Sequence, residues 1–216
     1  MAKVYGWMAL AILVTAGVAG FVSTNTAALE LFYGYDPNTG YLMGSPMQWV
    51  LLLAPMLMVM FTGGRIPTMA GGSAKIWLMI YAALVGGMMS YAPIAFDAGS
   101  IGGVFVVTSA MFATVSAFGF FTKKDLTGMG QFLMMALVGL LIAWVASFFI
   151  PGLYFWVAAI GVLLFAGLAA YDTQRIKQYY MVNGGQGNLA VIGAVMLYAS
   201  FMNIFIFLLH LFGGRD

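Results

Sequence analysis

Leu189–Phe212 reads LAVIGAVMLYASFMNIFIFLLHLF, twenty-four residues without a formally charged side chain. A helix needs about twenty apolar residues to cross a hydrocarbon core of roughly 30 Å, so this stretch is long enough to span a bilayer. Working outward from it, six more apolar runs appear: Val4–Thr24, Met47–Thr62, Ile76–Phe96, Ser100–Thr122, Gln131–Ile150 and Gly152–Tyr171. All fourteen formally charged side chains of the 216 residues lie in the gaps. A charge at mid-bilayer costs about 2.5–3.5 kcal/mol on insertion scales, so this exclusion is what seven spans require. The reading is an all-α membrane protein with one seven-helix membrane domain over residues 1–216.

Composition agrees. The chain is 63% hydrophobic and 6% charged, against roughly 25% charged in a soluble domain. Zero cysteines exclude disulfides and thiol catalysis. With a single histidine there is no zinc cluster and no base for a serine nucleophile, so an enzyme is not expected. The glycine pairs fit no phosphate-binding fingerprint, and Lys123-Lys124-Asp125 is a topology determinant rather than a nucleic-acid patch. The eighteen methionines read as adaptable packing rather than a metal path. The first run reads as a retained span, being long for a signal-peptide core and followed by six more.

Basic residues alternate by gap. Lys3, Arg65, Lys75, Lys123, Lys124, Arg175 and Lys177 fall on one side, and only Arg215 falls on the other. Lys and Arg accumulate in cytoplasmic loops, so the N-terminus is expected to face the cytoplasm. The gap at 25–45 contains Asp36-Pro37-Asn38-Thr39-Gly40, a turn signal in an outer loop. Pro55 removes a backbone donor and is expected to kink the second run, and Gly63-Gly64-Arg65-Ile66-Pro67 reads as a hinge-like inner loop. Asn183-Gly184-Gly185-Gln186-Gly187 reads as a flexible connector. Small residues recur at helical spacing, Gly86/Ser90 in the third run and Gly102/Val106/Ser109/Ala113 in the fourth, and predict close helix contacts.

Polar residues inside apolar runs are the functional candidates, because each must find a partner or water. At about 100° per residue, Gly193, Met196, Ser200, Asn203, Phe207 and His210 share one stripe of the last run. Ser200 and Asn203 fit either interhelical hydrogen bonding or the lining of a pathway. His210 reads as a solvated end residue. Asp172 ends the sixth run and shares a face with Gly161, Phe165 and Leu168. Its candidate partners are Arg175, three residues on, and Arg65 from across the bundle.

Four segments carry a resemblance: Val4-Tyr5-Gly6-Trp7-Met8, FTKKDLTGMGQFL at Phe121–Leu133, GLAAYDTQRIK at Gly167–Lys177, and LYASFMNIFIFLLHLFG at Leu197–Gly213. The chain resembles the Bax inhibitor-1 family, in particular its bacterial branch. The resemblance implies that the last helix is central in a bundle of the other six. It also implies a pH-sensitive leak of calcium or other cations through an inner membrane. An aspartate of the sixth span there pairs with one in the seventh, and an arginine near the end of the second can engage them. Asp172 matches the first aspartate and Arg65 the arginine. The family's Leu-Tyr-Leu-Asp-Phe-Ile-Asn stands here as Leu197-Tyr198-Ala199-Ser200-Phe201-Met202-Asn203, so Ser200 replaces the second acid, and His210 replaces a usual arginine.

Two adjacent carboxylates cannot both ionise cheaply, so such a pair holds a proton that can act as a latch. With Ser200 the latch loses one half, and the expectation is weakened pH gating or lost conduction. No cofactor is expected, with calcium only as a permeant ion. Asp172 alone is a thin metal site, since calcium takes six to eight oxygens. Besides the lipid bilayer, the alternative implied by the resemblance is a non-conducting interaction protein that regulates or stabilises a membrane complex or a membrane-anchored AAA protease. No nucleic-acid partner is expected.

Overall fold

In a computed structural model the described residues are 1–34, 45–69, 71–183 and 188–214, and they fold as helices joined by short links. The helices are α1 (Ala2–Thr24), α2 (Thr26–Tyr33), α3 (Pro46–Thr62), α4 (Gly71–Met89), α5 (Ala92–Ala95), α6 (Ala98–Phe121), α7 (Thr127–Ala146), α8 (Leu153–Asn183) and α9 (Leu189–Phe212). A 3₁₀ turn, Gly63–Thr68, continues α3. Among the described residues six helical stretches are long and apolar enough to cross a membrane, and the apolar part of α3, Pro46–Val59, is shorter.

The outer surface is oily. Leu13 is 68% exposed, Leu163 71% and Phe149 82%. In water such a surface would drive aggregation, whereas acyl chains solvate it without penalty. Polar backbone is satisfied within each helix, which is the condition for crossing lipid.

Helix α9 is the most buried of the six: 61% of its apolar window is inside the protein, against 11% for α7. It packs on α8, α1 and α6. Phe201 meets Phe105 and Phe112 of α6 edge to face, with ring centroids 5.8 and 5.5 Å apart. Tyr198 is fully buried and reaches across to α1, where its hydroxyl lies 2.6 Å from Thr15 Oγ1. The Thr15 hydroxyl also lies 3.0 Å from the carbonyls of Ala11 and Ala82, so one side chain joins α1, α4 and α9.

Several contacts depend on the absence of a Cβ. At Gly86 an added Cβ would lie 2.7 Å from the Thr15 carbonyl oxygen, so α4 touches α1 as the small-residue spacing predicts. The corresponding expectation for α6 is overturned. Gly102, Val106 and Ala113 face outward, with nothing within 4 Å of a Cβ at Gly102. The buried side of α6 is instead Val104, Thr108, Phe112, Ser116 and Gly119. Small residues on a lipid-facing side carry no packing, so their spacing alone misassigned the face.

Three boundaries also differ from the sequence reading. Residues 26–33 form α2 rather than loop: the Asn25 side chain accepts from the Ala28 N–H at 3.1 Å, and Gly34 closes the helix with φ 63°, a left-handed conformation suited to glycine. The Gly63–Pro67 segment is a 3₁₀ turn, held where Asn188 Nδ2 donates to the carbonyls of Ile66 and Met69. Finally, α8 runs on to Asn183, so Asp172 lies inside a helix and not at its end. The turn at 36–40, the connector at 184–187 and Arg215 lie outside the described residues.

Candidate functional site

The interface of α8 with α9 carries two of the candidates from the sequence, Asp172 and Ser200. The two helices run antiparallel: the Phe207 ring fills the space a Cβ at Gly161 would need, and a Cβ at Gly193 would meet Ile176 at 3.1 Å. Gly161 and Ile176 are eleven residues before and four after Asp172, both within about 40° of it around α8. Asp172 therefore projects from the α8 face that packs on α9. On α9, Gly193 and Phe207 lie seven residues to either side of Ser200 and within about 20° of it. Ser200 therefore projects straight at α8.

The same register sets Asp172 level with Met196 and Leu197, and Ser200 level with Leu168. One helical turn, about 5.4 Å, separates them along the axis. Asp172 is half-buried and Ser200 is 3% exposed. Among the described residues Asp172 is the single acid within the six long helices.

The cation whose charge reaches the Asp172 carboxylate is Arg175. Its guanidinium is held elsewhere, donating from Nε to the Tyr179 hydroxyl at 2.9 Å and lying 5.3 Å from that ring's centroid. Arg65, the cross-bundle candidate, is exposed on the 3₁₀ turn. Thus Asp172 and Ser200 lie on the facing sides of α8 and α9 about one turn apart, Arg175 is the nearby charge, and Arg65 is exposed on its turn.

Asn203 is half-buried and donates from Nδ2 to the Ala199 carbonyl at 2.8 Å, a bond within its own helix. His210 is not a solvated end residue. Its ring lies among Tyr91, Phe96 and Tyr154, with centroids 5.3–6.0 Å away. Nδ1 lies 2.8 Å from the Ile206 carbonyl, which can only accept, so Nδ1 carries a proton. Nε2 lies 3.2 Å from the Tyr91 hydroxyl. An aromatic cluster surrounds this residue because the α4–α5 junction and the start of α8 converge on the end of α9.

Ser116 was not singled out by its sequence. It is 3% exposed, on the α6 side that faces α8 and α9, and its hydroxyl is buried without a hydrogen-bond partner. Two turns earlier on α6, Thr108 donates to the carbonyl four residues back, the usual resort of a hydroxyl in an apolar helix. Among the described residues no group of three or more acidic, histidine or cysteine side chains could hold a metal ion. A cation here would meet one carboxylate, hydroxyls and water.

A family model described as "Inhibitor of apoptosis-promoting Bax1" matches residues 1–216. The inner membrane protein YbhL of Escherichia coli is 37% identical over 222 residues, covering all of this chain and 91% of that protein. An uncharacterised protein of Caulobacter vibrioides is 37% identical over 224 residues, covering all of this chain and 88% of that one. An uncharacterised membrane protein of Streptococcus pyogenes is 30% identical over 221 residues, covering 100% and 92%.

Proposed function

The chain belongs to the Bax inhibitor-1 family, and from that premise we propose that it is a cation leak protein of the inner membrane, passing calcium or monovalent ions along the α8/α9 interface with weakened pH gating. It is an integral membrane protein, and a relative identical at 37% of positions is named an inner membrane protein. The observation that carries the proposal is that Asp172 of α8 and Ser200 of the most buried helix, α9, sit on the facing sides of one interface. An acid inside a spanning helix is expensive and is retained where ions or protons pass.

In this reading the chain crosses seven times, with α9 surrounded by the other spans and the N-terminus in the cytoplasm. The shorter α3 qualifies if its 3₁₀ continuation is included: seventeen residues at about 1.5 Å and six at about 2.0 Å give roughly 37 Å of rod. The side chains have separate roles. Asp172 supplies the one full negative charge and Ser200 a hydroxyl oxygen one turn away. Asn203 offers a carbonyl oxygen nearer the outer end. Arg175, tethered to Tyr179, sets the field on the carboxylate from the inner side. With only one carboxylate there is no shared proton to serve as a latch. A single acid surrounded by neutral oxygens holds calcium weakly, which suits passage better than storage.

The test is ion flux into proteoliposomes carrying wild type, Asp172→Ala or Ser200→Asp. Asp172→Ala should abolish flux, and Ser200→Asp should restore a steep response to pH by recreating the acid pair. Equal flux for wild type and Asp172→Ala at every pH would remove Asp172 from the route. Absence of flux from every variant, with a stoichiometric protein partner recovered from native nanodiscs, would favour the interaction-protein reading.

A further inference from the structure

A cavity of about 230 Å³ opens where the α6–α7 link meets the far part of α8, away from the α8/α9 interface. Its charged lining is Lys123, Lys124, Lys177 and Asp125.

The charges are unequally committed. Asp125 Oδ1 already accepts from the Thr127 N–H at 2.9 Å and from the Thr127 hydroxyl at 2.6 Å, turning its charge to the start of α7. Lys177 spends one donor on the Phe120 carbonyl at 2.7 Å, with its ammonium 4.6 Å from that residue's ring centroid. An ammonium has three donors, so two remain. Lys123 and Lys124 are exposed. The walls are fixed: Gln174 accepts from the Leu126 N–H at 2.9 Å and donates to the Lys124 carbonyl at 2.8 Å. The α6–α7 link is thus clamped to α8, and the lysine-bearing backbone is preorganised. Beside the cavity Phe121 is 76% exposed and Met181 75%.

We propose that this cavity is a binding site for a phosphate-bearing anion, held by the ammonium groups of Lys123, Lys124 and Lys177. Three ammonium groups around one concavity favour an anion that takes hydrogen bonds from several directions, as phosphate oxygens do. Basic pockets between spanning helices on the cytoplasmic side suit lipid headgroups, and the apolar rim suits their chains. Free phosphate presents the same chemistry without the chains.

The test is native mass spectrometry of the full chain in detergent, titrated with phosphatidylglycerol or phosphatidylcholine. Wild type should retain phosphatidylglycerol in preference. Lys123→Gln with Lys124→Gln should weaken retention about twenty-five-fold, at roughly fivefold per lysine near the surface. Lys123→Arg with Lys124→Arg should retain it. Lys3→Gln with Lys75→Gln removes the same charge from the same side and should change little. If that control pair loses as much, the attraction is diffuse and the site is refuted. Added inorganic phosphate separates the sources. Displacement of the lipid from wild type assigns the site to free phosphate, and retention of the lipid assigns it to the headgroup. Equal binding of both lipids with no effect of phosphate would overturn the proposal. This competition uses wild type alone, so it decides even if the glutamine pair does not fold.

Discussion

The buried contact of Thr15 with Tyr198 predicts an unequal pair of variants. Carbonyls of Ala11 and Ala82 lie 3.0 Å from Thr15 Oγ1 and can only accept. The single threonine proton therefore goes to one of them, and Tyr198 must be the donor in the 2.6 Å contact. Tyr198→Phe removes that donor and leaves the threonine proton placed, so the loss should be about 0.6 kcal/mol, the average for interhelical hydrogen bonds in membranes. Thr15→Val keeps the shape but strands the tyrosine O–H in a site without exposure. An unsatisfied buried donor costs about 1–3 kcal/mol. Replacing both partners leaves nothing stranded, so the double variant should be more stable than Thr15→Val alone. The assay is unfolding in mixed micelles of increasing dodecyl sulfate, followed by helical circular dichroism. If the double variant equals the sum of the singles, or if Tyr198→Phe is the more damaging change, the donor assignment is wrong.

Two further outcomes follow from helix ends and glycines. A Cβ at Gly119 would run into the Ala170 carbonyl, so Gly119→Ala should destabilise by about 1–3 kcal/mol through overpacking. Gly102→Ala, with open space around it, should be neutral or gain up to about 1 kcal/mol from helix propensity; equal thermal shifts would remove the α6/α8 contact. The Asp97 carboxylate caps α6, and hydrogen bonds from the Ser100 hydroxyl and N–H hold it below its ordinary value of 3.8. Its folded value is the lower one, so this stabilisation is present at neutral pH and disappears as pH falls below the ordinary value. Asp97→Asn should keep the cap and reduce the fall in melting temperature between neutral and acid pH; an unchanged fall would exclude the carboxylate as its source.

Membrane class and the long helices were legible because charge exclusion is an energetic requirement of lipid and leaves an unmistakable record. Boundaries were legible only where that rule set them. Helix α8 continues past the first charge because Gln174 and Ile176 bury themselves against the α6–α7 link and α9. A reading based on apolar runs stops at Asp172 and misses that polar but buried turn. The cap signals of α2, Asn25 and Gly34, were present in the sequence but sat in a stretch read as loop. Faces were harder than spans. In water one side of a helix is marked by polarity, whereas in lipid both sides are apolar, so Gly102 and Gly119 look alike although one faces outward and the other presses on Ala170. Along α9 the polar atoms of Ser200 and Asn203 supply a contrast that the apolar runs lack, and Ser200 is buried while Asn203 is half-buried. The terminal histidine of α9 was misread because the aromatic residues around it come from distant parts of the chain.

The thirty-one residues of α8 make a rod of roughly 46 Å, about half as long again as the hydrocarbon slab. Ala170 presses on Gly119 of α6, and past it Gln174, Ile176 and Lys177 tie the next two turns to the α6–α7 link, α9 and α6. Asn183 stands six residues beyond Lys177, about 9 Å along the axis. The acid therefore sits on the anchored part of the rod, and the excess length lies beyond it.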